Sequence, residues 1–173
     1  MKKISALFIL LFSLFTFSAH ADFNDGVVTY LMGDYEKSFK TMQSLAETSD
    51  HGYAQYYMGM MYMKGQGVEQ DYKKAGEWFR KASEKNIPQA QYKLADLYFK
   101  GRGVPKDFEY AYIWYSVGAS HAHKLSVSSI DKAKTKLSEE ELKEANKVVA
   151  TYIKKYGPKE DIDPKEPIKI DNK

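Results

Sequence analysis

The middle of the chain places its hydrophobic residues with the period of an α-helix. Four apolar positions fall at i, i+4, i+7 and i+8, the spacing of one helix face. They are Ala54, Met58, Met61 and Tyr62. The glycines of Lys64-Gly65-Gln66-Gly67 then interrupt the pattern, because glycine adopts positive φ without a Cβ clash and commonly ends helices. The pattern predicts a helix, called helix A, at about 53–64.

A second helix, called helix B, is predicted at about 71–85. Asp71 precedes it and can accept hydrogen bonds from the free N–H groups of its first turn. Its apolar stripe consists of Ala75, Trp78, Phe79 and Ala82. The small Ala75 lets helix A approach closely, and the bulky Trp78 is expected to fill the gap beside it. The following unit repeats this pairing with Ala111 and Trp114.

Many of these residues recur after a fixed spacing of 36 positions. Ala54-Gln55-Tyr56, Lys64-Gly65, Gly67-Val68, Asp71, Ala75 and Trp78 return as Ala90-Gln91-Tyr92, Lys100-Gly101, Gly103-Val104, Asp107, Ala111 and Trp114. A period in this range indicates a solenoid of stacked structural units. Solenoids usually present an extended binding surface, so the repeat favours a binding function over a catalytic one.

The recurring residues, together with Gly59, Tyr62, Tyr72 and Ala82, resemble a Sel1-like repeat, a relative of the tetratricopeptide repeat with a longer connecting loop. The resemblance implies an all-α fold, a right-handed solenoid of antiparallel helix pairs. The next unit departs from the pattern with Ala95 where glycine is usual and Gly118 where alanine is usual. Both exchanges are between small residues, so we expect the helix packing to be retained.

The resemblance extends to both sides of the two clear repeats. Upstream, Phe23, Gly26, Tyr30, Gly33-Asp34-Tyr35 and Leu45-Ala46-Glu47 resemble the shorter first unit of exported members of that family. We therefore predict one solenoid over 22–156. Its parts are units at about 22–51, 52–87 and 88–120, and a C-terminal cap at 121–156.

The cap is predicted to end in an amphipathic helix. Ser138-Glu139-Glu140-Glu141 forms a capping box before an apolar stripe. The stripe consists of Leu142, Ala145, Val148, Val149 and Tyr152, and the polar face carries Lys143, Glu144, Lys147 and Lys154. Such a polar face would keep the end of a solenoid soluble. Three prolines among charged residues predict a disordered tail at 157–173.

The N-terminus has the pattern of a cleaved export signal. Lys2-Lys3 precede an apolar run from Ile4 to Phe17, and Ala19-His20-Ala21 offers a small-residue cleavage site. The run is shorter than the roughly 20 residues that span a bilayer, so we predict a signal peptide at 1–21 and no membrane span after cleavage. The chain has no cysteine, so neither a lipoprotein anchor nor disulfide bonds are possible. We expect a periplasmic or secreted protein.

Composition changes this picture little. Loss of Lys2 and Lys3 would lower the formal net charge from +3 to +1, which argues against nucleic acid as the partner. The two Gly-x-Gly loops end helices and lack the Gly-Lys-Ser/Thr ending of a nucleotide loop. His121 and His123 would diverge on a helix and are expected in a solvated turn, and the methionines of 58–63 divide between core and surface. We therefore predict no cofactor, no metal and no catalytic residue.

A binding surface is expected on the exposed positions of successive A helices, which line the concave side in proteins that this chain resembles. These positions are Tyr53, Tyr56, Met60, Met63, Lys64, Gln89, Tyr92, Asp96, Phe99 and Lys100. Tyr56 and Tyr92 occur in both repeats, which favours scaffold residues that pack between units as the alternative for these two. The positions that vary between repeats, Met60 against Asp96 and Met63 against Phe99, favour a role in specificity.

These observations predict a non-enzymatic scaffold that binds a protein or peptide in the cell envelope, with no specified oligomeric state. Aromatic and methionine side chains with polar neighbours are typical of interface cores. An alternative is a cell-wall-related binder or hydrolase, because some exported Sel1-like proteins resemble β-lactam-binding or β-lactam-hydrolysing proteins. Those relatives carry a disulfide in each repeat, and this chain has none.

Overall fold

The computed structural model of the chain describes residues 22–159, and these residues form eight helices and no strand. The helices are α1 (22–31), α2 (Tyr35–Thr48), α3 (Gly52–Lys64), α4 (Tyr72–Glu84), α5 (Pro88–Lys100), α6 (Phe108–Ser120), α7 (Lys124–Lys134) and α8 (Glu139–Tyr156). The predicted signal peptide at 1–21 and residues 160–173 of the predicted tail lie outside this range. None of the helices between residues 22 and 159 combines the length and the apolar character that a bilayer crossing requires.

The two clear repeats begin and end their helices with the residues that the sequence indicated. Helices A and B of the first clear repeat are α3 and α4, each within one residue of its predicted bounds. Gly65 ends α3 with φ of +69°, and the Asp71 side chain accepts hydrogen bonds from the backbone of Lys73 and Lys74. One repeat later, Gly101 and Asp107 take the same roles. These local predictions are confirmed.

Consecutive helices pack against one another, so the chain forms two rows of helices. Contacts join α2 to α3, α3 to α4, α4 to α5, α5 to α6 and α6 to α7. The A helices α1, α3, α5 and α7 form one row, and the B helices α2, α4 and α6 form the other. Direct contacts between α5 and α7, and ring contacts between Tyr30 of α1 and Tyr57 of α3, join neighbours within the A row. The predicted helical repeat solenoid is confirmed.

The core lies between the rows. Met58 and Met61 of α3 are completely buried, and their repeat equivalents Leu94 and Leu97 are at most 2% exposed. Gly59 is tight because a Cβ there would lie 2.6 Å from the ring of Phe79. These are the core positions that the helical spacing predicted.

The tryptophans of the two repeats differ in burial. Trp114 is 4% exposed, as predicted for a residue that fills a junction between helices. Trp78 is only partly buried, and the Lys81 Nζ lies 4.2 Å above its ring. Trp78 therefore fills its junction only in part, since it packs against the core cluster around Met42 and Met58 but keeps part of its ring exposed. The difference arises because α8 covers Trp114, whereas none of the described helices covers Trp78.

The cap contains a helix that the sequence pattern did not predict. His121 and His123 were expected in a solvated turn; they lie at the turn between α6 and α7, but both are partly buried and hydrogen-bonded within the fold. The His123 Nδ1 accepts from the backbone N–H of Ser126 at 3.3 Å and caps α7. Histidine is an unusual N-cap, and α7 buries only Ser126, Ser129 and Ala133, so neither a start signal nor an apolar stripe marked it.

The predicted capping helix is α8. Ser138 and Glu141 form its capping box, as the sequence indicated. Its main contacts are with α6, against which Tyr152 and Tyr156 cover Trp114 with ring centroids 5.4 and 5.7 Å away. The helix therefore lies back along the B row.

Candidate functional site

The A row presents a surface rich in aromatic rings, which we call the A face. At its N-terminal end Tyr30 packs edge-on against Tyr57 at 5.2 Å, and Tyr57 against Tyr56 at 5.8 Å. At its C-terminal end Tyr92 lies 5.7 Å from Tyr115 and 5.5 Å from the His123 ring. Helices α1, α3 and α5 and the residue that caps α7 thus contribute rings to the A face.

Charged side chains lie between these two groups of rings. Asp96 pairs with Lys100 at 2.7 Å one helical turn away. Burial lowers the pKa of the neighbouring Lys93, with the nearby positive charges of Lys64 and Lys100 acting in the same direction and Asp96 opposing them. Three lysines from two helices and one carboxylate therefore lie near one another, so this part of the A face is positively charged.

Burial favours the protonated hydroxyl in three tyrosines of this region, Tyr56, Tyr57 and Tyr115. Burial raises the pKa of Tyr56, with the neighbouring Tyr57 and Tyr30 contributing, and burial likewise raises the pKa of Tyr57. Burial also raises the pKa of Tyr115 well above its ordinary value, and the nearby Asp96 adds to the shift. The neutral hydroxyls of the half-buried Tyr56 and Tyr57 can donate hydrogen bonds to the carbonyl groups of a bound chain, whereas Tyr115 is buried.

The residues predicted for the concave side divide by exposure. Exposed side chains are Tyr53, Lys64, Gln89 and Lys100, and partly buried ones are Tyr56, Met60, Met63, Tyr92, Asp96 and Phe99. Phe99 packs edge-on against Phe108 at 5.3 Å, and both methionines pack against the main core. These partly buried residues therefore also support the scaffold.

Sequence reasoning missed Lys93, Tyr57 and Tyr115. Tyr57 and Lys93 occupy equivalent positions in the two repeats but differ in residue type. The same kind of difference identified Met60 and Asp96 as candidates, so it could also have identified this pair. Tyr115 comes from helix B, where its position in the apolar stripe gave no indication that it lies beneath Tyr92 and Asp96. Only the packing of α6 on α5 places it there.

The two histidines of the His-x-His pair have separate partners. The His121 Nε2 lies 3.0 Å from the backbone oxygen of Tyr156, and the His123 Nδ1 lies 3.0 Å from the Ser126 Oγ. Across residues 22–159, no three acidic or histidine side chains are grouped so that they could hold a metal ion.

Comparison with known proteins agrees with this architecture. The Sel1 repeat family matches residues 52–87 and 88–123. A search of curated proteins found no match.

Two solved structures have similar folds. One is a protective antigen present in uropathogenic Escherichia coli strains and displaying an SLR fold, with 26% identity and a TM-score of 0.76 over 81% of this chain. The other is a Sel1 repeat protein from Oxalobacter formigenes, with 26% identity and a TM-score of 0.59 over 74% of this chain. This chain spans 31% and 54% of their respective lengths. This chain therefore contains two Sel1 repeats, at 52–87 and 88–123, within an all-helical fold that is similar to the folds of these two proteins.

Proposed function

We propose that this chain is a non-catalytic scaffold that binds a protein or peptide in the bacterial cell envelope through the A face. Sel1 repeat proteins are generally protein-interaction scaffolds. One observation carries the proposal. The charged cluster around Asp96 lies between two groups of aromatic rings, one around Tyr57 and one around Tyr92.

The chemistry of the A face defines the partner. Half-buried tyrosine and methionine side chains supply apolar contact area at a small cost in conformational entropy. The lysines around Asp96 favour a segment with acidic side chains, and the protonated tyrosine hydroxyls can donate to its carbonyl groups. The expected partner is therefore an extended or helical segment that carries both apolar and acidic residues.

The envelope location is part of the same proposal and rests on the sequence pattern of residues 1–21. Cleavage after Ala21 would release a chain that begins at Asp22. The exported chain would meet its partner in the periplasm or outside the cell.

Affinity capture with residues 22–173 from an envelope extract, followed by calorimetry on the purified partner, tests the proposal. Lys64→Glu combined with Lys100→Glu reverses two exposed charges of the A face and should weaken binding about tenfold, or about 1.4 kcal/mol. The matched control reverses Lys37 and Lys40 on α2, which are exposed in the B row. Equal losses in both variants, or hydrolysis of a β-lactam or of peptidoglycan by the purified protein, would contradict the proposal.

A further inference from the structure

The two repeats contain equivalent tryptophan grooves on the B row, and α8 fills one of them. In the filled groove Trp114 is stacked on Tyr156 and meets Tyr152 edge-on. The Tyr112 hydroxyl donates to the Asn146 side chain of α8 at 2.8 Å. The last turns of α8 also lie near α4, because the charge of Glu84 acts on Lys155. The groove around Trp114 is therefore a binding site for a helix, occupied within the chain.

The end of α8 is bound by two side chains. The backbone oxygen of Tyr156 accepts a hydrogen bond from the Gln91 Nε2 at 2.9 Å and lies 3.0 Å from the His121 Nε2. Gln91 is completely buried, so its position does not depend on solvent contacts. These two residues hold the last carbonyl group of α8, which has no partner within the helix itself.

One repeat earlier, the equivalent side chains are present without a helix. Gln55 and Lys85 lie 36 positions before Gln91 and His121. The Gln55 Nε2 donates to the Asp50 carboxylate at 2.6 Å, and the Lys85 ammonium donates to the other oxygen of the same carboxylate. These donors lower the pKa of Asp50. Asp50 thus provides the acceptor that the Tyr156 carbonyl provides in the filled groove.

The groove around Trp78 is open and has a volume of about 510 Å³. Ala46 and Glu47 of α2 form one side of it, and Trp78 and Lys81 of α4 form the other. The Lys81 ammonium lies over the Trp78 ring, where the filled groove has aromatic rings of α8. Helix α4 borders both grooves, so the open groove adjoins the surface on which α8 packs.

We propose that the Trp78 groove binds the C-terminal turns of a helix from another protein, in the position that α8 takes against Trp114. The partner helix would carry two aromatic side chains four residues apart, like Tyr152 and Tyr156. Its last carbonyl groups would replace the Asp50 carboxylate on Gln55 and Lys85. Once Asp50 is displaced, the positive charge of Lys85 suits the negative end of a helix dipole.

The partner is a separate protein, because the α8 of a second copy is already engaged. Its Tyr152 and Tyr156 pack on Trp114, and its final carbonyl is bonded to Gln91. The site is also separate from the A face, because it lies on the opposite row of helices. The two surfaces can therefore be tested independently.

A peptide of residues 144–158 of this chain is the probe, with binding to the full protein measured by calorimetry. The test variant combines Asp50→Asn with Lys81→Val. These substitutions introduce the residues of the filled groove, where Asn86 is equivalent to Asp50 and Val117 to Lys81. Asparagine also tolerates the positive φ of position 50. This variant should bind the peptide at least tenfold more tightly than the unmodified protein, and Trp78→Ala should abolish binding.

Two controls make the result specific. Lys74→Val removes a charge from the far end of α4, outside the groove, and should leave the affinity unchanged. A peptide with Tyr152→Ala and Tyr156→Ala should not bind. If Trp78→Ala fails to fold by circular dichroism, the gain in affinity of the double variant still decides the matter.

Three results would overturn the proposal. Unchanged affinity in the double variant would show that Asp50 and Lys81 do not block this groove. Unchanged affinity in a folded Trp78→Ala variant would place the peptide elsewhere, such as on Trp114 in exchange with α8. Dimers of the protein that disappear in Trp78→Ala would assign the groove to a second copy.

Discussion

Gly103 packs directly against the backbone of Tyr72, so that the loop of one repeat rests on the first turn of helix B in the repeat before it. A Cβ on Gly103 would overlap the Tyr72 carbonyl group. Gly67 is placed in the same way against the backbone of Tyr35. The Gly-x-Gly loops thus join consecutive units, which explains their recurrence without any phosphate-binding role.

This contact predicts different costs for two glycine substitutions. Gly103 and Gly33 both have positive φ, of +72° and +84°, but a Cβ on Gly33 would have no described atom within 4 Å. Gly33→Ala should therefore lower the free energy of unfolding by about 1–2 kcal/mol, the cost of a left-handed conformation. Gly103→Ala should lower the free energy of unfolding by the same amount and by about 1–3 kcal/mol more, because its Cβ also overlaps the Tyr72 backbone. Urea unfolding measures both, and equal costs would contradict the proposed contact.

The two tryptophans should also differ in their contribution to stability. Trp114→Ala removes a buried ring between α6 and α8 and should cost about 3–5 kcal/mol. Trp78→Ala removes a partly exposed ring that packs against the Met42 cluster on one side and has Lys81 above it, and should cost about 1–2 kcal/mol. Chemical denaturation of the two variants provides the measurement. A larger loss for Trp78→Ala would mean that α8 does not cover Trp114 in solution.

Stability should fall on mild acidification through His123. Burial, and then the Lys93 ammonium, lower the pKa of His123 below its ordinary value of 6.5, so the folded protein favours the neutral ring. The neutral Nδ1 is also the acceptor that caps α7. The unfolded chain therefore takes up the proton first, and stability contributed by His123 is present above pH 6.5 and is lost as the pH falls towards the folded pKa.

The test compares thermal melting of the unmodified protein and of His123→Asn between pH 7.5 and pH 5. Asparagine caps helices without titrating in this range. The variant should lose less stability across the interval, because the other titrating groups are common to both proteins. An identical pH dependence in the two proteins would exclude this role of His123.

Export makes a prediction about the N-terminus. If residues 1–21 are a signal peptide, the protein isolated from its native host should begin at Asp22. Mass spectrometry of the intact protein, with fractionation of the cells, provides the measurement. A chain that retains Met1 in the cytoplasm would contradict the envelope location and leave the two proposed binding surfaces to be tested with cytoplasmic partners.

Much of the scaffold could be predicted from local chemistry. Glycine in a left-handed conformation ends α3 and α5, and Asp71 and Asp107 begin the helices that follow. Both kinds of helix cap depend on interactions within a few residues, so they can be predicted from the sequence. The candidate binding face was predicted less completely, because helical spacing identified the A-helix positions but could not reveal that Tyr115, from helix B, lies beneath them.

The sequence by itself determined the repeat period, the helix pairs, their caps and the burial of Met58 and Leu94, because these depend on residue type and on spacing along one helix. Only the tertiary structure decided that α8 covers Trp114 and leaves Trp78 open. That choice depends on contacts between residues far apart in the chain, such as Gln91 with Tyr156. Two tryptophans with the same local pattern therefore have different environments, because a single C-terminal helix can fill only one of two equivalent grooves.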